Sequence, residues 1–113
     1  MFFELMKITP APEQYATGTP VVIPANTTAV ALIPANPARI GLGLINQTDG
    51  PIYLNKGDVA TSPASASAKI FVIPPQSYVS FDGKSETPTE ALNVVWAGTA
   101  TGNLTAIERV VVE

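Results

Sequence analysis

Between Arg39 and Asn46 the chain alternates strictly, with Ile40, Leu42 and Leu44 on one face and Gly41 and Gly43 on the other. A period of two belongs to a strand that buries one face. Glycine at alternate positions points to close approach by another backbone or a bulky side chain. The same pattern places strands at residues 21–23 and 28–33, separated by Pro24-Ala25-Asn26. Gln47-Thr48-Asp49-Gly50-Pro51 then reads as a hairpin turn into residues 52–55, with Asp49-Gly50 as its signal. Residues 69–73 and 78–81 flank the turn Pro74-Pro75-Gln76. Leu92, Val94 and Trp96 share one face of a later strand, and after a turn at 98–102 residues 104–112 complete a second hairpin.

Eleven prolines and eight glycines interrupt these runs, and no stretch of a dozen residues keeps a helical period. About eight short strands, each burying one face, predict an all-β domain: a two-layer antiparallel β-sandwich or jelly roll. An up-and-down barrel satisfies the same periodicity. Residues 1–19 read differently, because Thr9-Pro10-Ala11-Pro12-Glu13 and Thr17-Gly18-Thr19-Pro20 disfavour both helix interior and central strand. The chain therefore divides into an extended N-terminal arm, 1–19, and a sandwich domain, 20–113. Phe2, Phe3, Leu5, Met6, Ile8 and Tyr15 are the arm's candidate partner-binding residues, since apolar side chains are costly to leave in water. The small-residue stretch at 61–68 reads as exposed, mobile or ordered only by a partner.

Only 13% of the residues are charged, with a formal net charge of −3. The basic residues Lys7, Arg39, Lys56, Lys69, Lys84 and Arg109 are scattered singly, which predicts no nucleic-acid partner. No segment approaches the roughly 20 apolar residues of a membrane span. Glu4 and Lys7 interrupt the apolar N-terminus and Pro10 ends it, so the chain reads as soluble, without a signal peptide.

With no histidine and no cysteine, the commonest general base, the thiol nucleophile and the usual zinc ligands are all missing. Asp49, Asp58, Asp82, Glu86 and Glu90 fall in predicted turns, where Asp serves its own backbone, and none has the spacing of a calcium loop. The expectation is a non-enzymatic protein without metal or cofactor. Tyr15, Tyr53, Tyr78 and Trp96 offer faces for sugars, but Trp96 alternates with Leu92 and Val94 as a core residue does. Three Asn-x-Thr triplets, at Asn26, Asn46 and Asn103, match the glycosylation pattern with no secretory segment to support it. Arg39, Asn46, Tyr53 and Trp96 are read as structural, Arg39 by tying loop carbonyls or a neighbouring carboxylate.

The run from Ile33 to Asn46, with its Asn36-Pro37-Ala38-Arg39 turn, followed by Pro51-Ile52-Tyr53-Leu54, resembles small virion proteins of tailed bacteriophages. Ile73-Pro74-Pro75-Gln76-Ser77-Tyr78 and the segment from Trp96 to Gly102 extend the resemblance, which covers roughly residues 20–113. It implies a β-sandwich head decoration or cement protein, or a fibre base, with no catalytic residues to carry over. Such a protein sits on the capsid surface, binds major capsid protein or other virion subunits, and is commonly a homo-oligomer, a trimer above all. A glycan-binding tip of a tail or head fibre, using loops 55–68 and 83–90, is the alternative.

Overall fold

The computed structural model describes residues 14–112, and the side chains of 16–111. Nine strands lie among them: β1 (Gln14–Thr17), β2 (Val21–Pro24), β3 (Val30–Ile33), β4 (Arg39–Thr48), β5 (Ile52–Lys56), β6 (Phe71–Ile73), β7 (Ser77–Asp82), β8 (Leu92–Trp96) and β9 (Gly102–Val112). None of the described residues is helical. In the first sheet β1 and β2 lie end to end along β9, which pairs with β4, and β4 with β7. The second sheet runs β3-β8-β5-β6. Every ladder among the described strands is antiparallel.

From β2 onwards successive strands alternate between the two sheets, except for β5 and β6, which are neighbours in one. That winding is a jelly roll, so the all-β sandwich expectation holds and the barrel alternative does not. Both expected hairpins are corrected by it. β4 and β5 lie in different sheets, as do β8 and β9, so each turn carries the chain across the sandwich. At the first turn the cause is local: Asn46 Nδ2, on the inner face, donates to the Gly50 carbonyl at 3.0 Å and draws the chain inward.

The core between the sheets comprises Leu32 and Ile33 of β3, Leu42 and Leu44 of β4, Ile52 and Leu54 of β5 and Ile73 of β6. Leu92, Val94 and Trp96 of β8 and Leu104 and Ala106 of β9 complete it. Alternation therefore assigned the inner faces correctly. At Gly102, with φ of 110°, a Cβ would collide with the Gln47 carbonyl, and only glycine lets β9 start so close against β4.

Two regions depart from expectation. Residues 14–17, assigned to the arm, form β1 on the domain's own sheet, with Gln14 opposite Val112 and Thr17 opposite Arg109. β9 has 11 residues and β2 only four, so the far half of β9 needs a second partner for its backbone groups. The 57–68 segment is held by its own domain. Asn93 Nδ2 donates to the Gly57 and Ser62 carbonyls at 2.9 Å, Asn93 Oδ1 accepts from Ala64 N at 2.6 Å, and Ala64 is buried. The segment thus covers the outer face of β8.

Candidate functional site

The sequence-predicted site residues do not gather at one site, and only Asn46 and Trp96 among the described ones meet, through Thr48. Phe2, Phe3, Leu5, Met6 and Ile8 lie outside the described residues, and of Tyr15 only the backbone is described, opposite Val111 in β1. Arg39 and Asn46 stand near opposite ends of β4. Tyr53 faces outward on the second sheet, with Lys69 Nζ 5.4 Å from its ring centroid, Tyr78 faces outward on the first, and Trp96 is buried between them. The four aromatics considered for a sugar platform thus make no common surface among the described side chains.

Arg39 closes one end of the sandwich. Its side chain is fully buried and its Nε lies 2.5 Å from Glu108 Oε2. Nη1 donates to the carbonyls of Pro88 and Glu90 at 2.7 and 3.0 Å, and Nη2 to that of Pro34 at 2.5 Å. One planar fork therefore ties the β3–β4 and β7–β8 crossovers to β9, a geometry that a lysine ammonium cannot reproduce. A bulge in the β4–β9 ladder between Arg39 and Gly41 marks the place where β4 re-aims this side chain.

The opposite end is closed without charge. Asn46 Nδ2 donates to the carbonyls of Gly50 and Pro74, at 3.0 and 2.9 Å, while Oδ1 accepts from Thr48 N and Oγ1. Trp96 Nε1 donates to Thr48 Oγ1 at 3.0 Å, and Gln76 Nε2 to the Thr48 carbonyl. Both ends are polar plugs whose hydrogen bonds are spent inside the protein, and neither presents free chemistry to a substrate.

Asp49 and Glu90 also have partners within the protein. Asp49 Oδ1 accepts from Thr101 N at 2.9 Å, and Glu90 lies 3.8 Å from Lys56 Nζ. Among the described residues no group of three His, Cys, Asp or Glu could hold a metal ion.

Two surfaces remain. On the outer face of the first sheet a trough of about 150 Å³ runs over Gly41 and Gly43. The Tyr78 ring lies over Gly43 and the Arg109 side chain crosses Gly41 to Asp82 Oδ1 at 3.5 Å. The alternate glycines thus admit bulky side chains from the neighbouring strands.

The other surface is the side formed by β6 and β7. Five large hydrophobic residues are exposed among those described, and four of them, Ile70, Phe71, Val72 and Tyr78, belong to these strands or border them. Phe71 packs edge-on against Phe81 of β7, with ring centroids 6.1 Å apart, across the gap between the sheets. Composition carried no signal for this side, because what exposes it is the strand order.

No protein-family model matches the chain, and no curated protein does. Among solved structures it is similar to a protein of Bacillus endospore appendages, which form a family of disulfide-linked pili. The likeness has a TM-score of 0.52 at 12% identity and covers 91% of this chain and 93% of the other. It is a likeness of fold, and this chain, having no cysteine, has no means of disulfide linkage.

Proposed function

We propose that this chain is a non-enzymatic structural virion protein that binds the outside of a bacteriophage capsid and bridges neighbouring subunits, as a decoration or cement protein does. The observation that carries the reading is the contrast between sealed ends and an open side. Both ends of the sandwich are closed by internally satisfied polar plugs, while apolar side chains gather beside β6 and β7. Exposed apolar side chains gathered along one side of a domain suit contact with other macromolecules. The phage-like sequence pattern supplies the setting, with major capsid protein and further copies of the chain, as a trimer, for partners. That the same fold serves in a pilus protein supports the reading of an assembly subunit.

The test is the composition of purified particles. The chain should be present on the capsid surface at a copy number that is a simple fraction of the major capsid protein. Replacing Phe2, Phe3, Leu5 and Met6 with serine should lower that occupancy at least tenfold without unfolding the domain. A chain absent from particles sinks the proposal.

The second reading, a glycan-binding module of a fibre, is favoured by the exposed Tyr78 ring on its glycine floor beside Asp82 and Arg109. It requires a saturable hit on a glycan array that disappears in Tyr78→Ala.

A further inference from the structure

The four free sides of the sandwich are not equally protected against strand addition. Proteins blunt sheet edges with prolines, bulges, short strands and charge. β1 and β2 are broken by Gly18-Thr19-Pro20 and stopped at Pro24. β3 has a register shift between Ala31 and Ile33 and is followed by Pro34. β6 is three residues long and runs into Pro74-Pro75.

β7 has no proline, bulge or truncation to blunt it. Its six residues keep an unbroken register on β4 from Asn46–Ser77 to Gly41–Asp82. It contains no proline and no lysine, and its one charge is the terminal Asp82. Among the described strands nothing pairs with its outer edge. On one flank lies Tyr78, 64% exposed, and on the other the Phe71–Phe81 pair, with Phe71 38% exposed. A strand laid there would find backbone partners along its length and apolar cover on both faces.

We infer that β7 accepts, as an added antiparallel strand, residues 2–8 of a second copy of this chain. The inference deepens the proposed role as a bridging subunit and rests on it. The donor, Phe2-Phe3-Glu4-Leu5-Met6-Lys7-Ile8, is seven residues long against six in β7 and carries apolar side chains at both parities, as a strand covered on both faces requires.

Direction selects a second copy over the chain's own arm. Gln14 is opposite Val112, so β1 begins at the Arg39 end. β7 runs towards the same end, finishing at Asp82 opposite Gly41. An arm returning to its own β7 would therefore pair parallel in a sheet that is otherwise antiparallel, with slightly less stable ladders. It would also have to reverse across four strand spacings, about 19 Å, through Thr9-Pro10-Ala11-Pro12-Glu13, whose prolines favour an extended spacer. A second copy meets neither difficulty. Its Arg39 end then lies beyond the acceptor's Asn46 end, a head-to-tail contact that closes as a ring or continues as a filament.

The chain has no cysteine, so introduced thiols report the pairing directly. Copies carrying Phe3→Cys, Glu4→Cys, Leu5→Cys or Met6→Cys are mixed with mass-tagged copies carrying Ser80→Cys or Tyr78→Cys, both exposed acceptor positions, and oxidised. The expected result is a reducible band at twice the 11.8 kDa chain mass plus the mass of one tag, which contains one copy of each type. The best donor position should move to higher residue number as the acceptor moves from 80 to 78, because the pairing is antiparallel.

No mixed disulfide at either acceptor position overturns the inference, and so does a shift of the donor position in the opposite direction. Closure within one copy, when both thiols are on the same chain, assigns the edge to its own arm and overturns it too. The outcomes separate from those of the virion proposal. Particle occupancy without the mixed disulfide leaves the virion role and removes the strand exchange, whereas the disulfide without occupancy does the reverse.

Discussion

The two ends of the sandwich meet the same need with opposite chemistry. In each, a buried polar side chain of β4 supplies hydrogens to the backbone carbonyls of crossover loops, which could not otherwise be buried. At one end the donor is the Arg39 guanidinium, balanced by Glu108. At the other it is the neutral Asn46 amide, backed by Thr48 and Trp96. A charge must be paired to be tolerated, whereas an amide needs no counter-charge. The charged end should therefore be the more fragile.

Arg39→Ala is the largest expected effect. It leaves Glu108 without its cation and the carbonyls of Pro34, Pro88 and Glu90 without that donor, and removing one partner of a buried pair costs about 3–5 kcal/mol. Urea denaturation should show a midpoint lowered accordingly. Arg39→Lys should recover only part of the loss, because it restores charge without the fork. A loss below about 1 kcal/mol, the range of exposed ion pairs, would mean that the plug does not hold the end.

Asn46→Leu, nearly isosteric, removes the amide, strands Thr48 N and takes one of two donors from the Pro74 carbonyl. About 1–3 kcal/mol is expected for leaving buried groups unsatisfied, measured in the same denaturation series. If Asn46→Leu proves costlier than Arg39→Ala, the ranking of the two ends is wrong.

How far the ends could be read in the sequence follows the same division. Arg39 stood out as a single basic residue leading into a strong strand, and Trp96 was placed in the core by its alternation with Leu92 and Val94. The turn after Asn46 was misread. Asp49-Gly50 signals a reversal but does not say whether the chain returns in its own sheet or crosses to the other, and that is decided by the grip of Asn46 on the Gly50 carbonyl. Asn93 was invisible for a related reason: a polar residue at an outward strand position reads as solvated, and only the fold brings residues 57–64 over it. The pairing of residues 14–17 depended on the excess length of β9, a property of another strand.

Thr48→Val tests the neutral end at a single atom. Valine keeps the branched shape while removing the hydroxyl that donates to Asn46 Oδ1 and accepts from Trp96 Nε1. About 1–2 kcal/mol should be lost, within the range for a broken buried hydrogen bond. Because the chain has one tryptophan, its emission should also shift as the indole N–H loses its acceptor. A stability change with unaltered emission would separate Trp96 from the network.

The smallest effect concerns whether the ends know of each other. Arg39 and Asn46 lie about 23 Å apart along β4 at the usual rise per residue, and none of their hydrogen-bond partners is shared. Losses at sites so separated add to within about 0.5 kcal/mol, so the double variant Arg39→Ala with Asn46→Leu should show no larger coupling. Asn46→Leu with Thr48→Val, which share hydrogen bonds, should couple by about 0.5–3 kcal/mol. A coupling across the ends as large as that within one end would make β4 a rigid strut between them. Anything attached at the Asn46 end would then bear on the Arg39 plug, and the two closures would have to be treated as one.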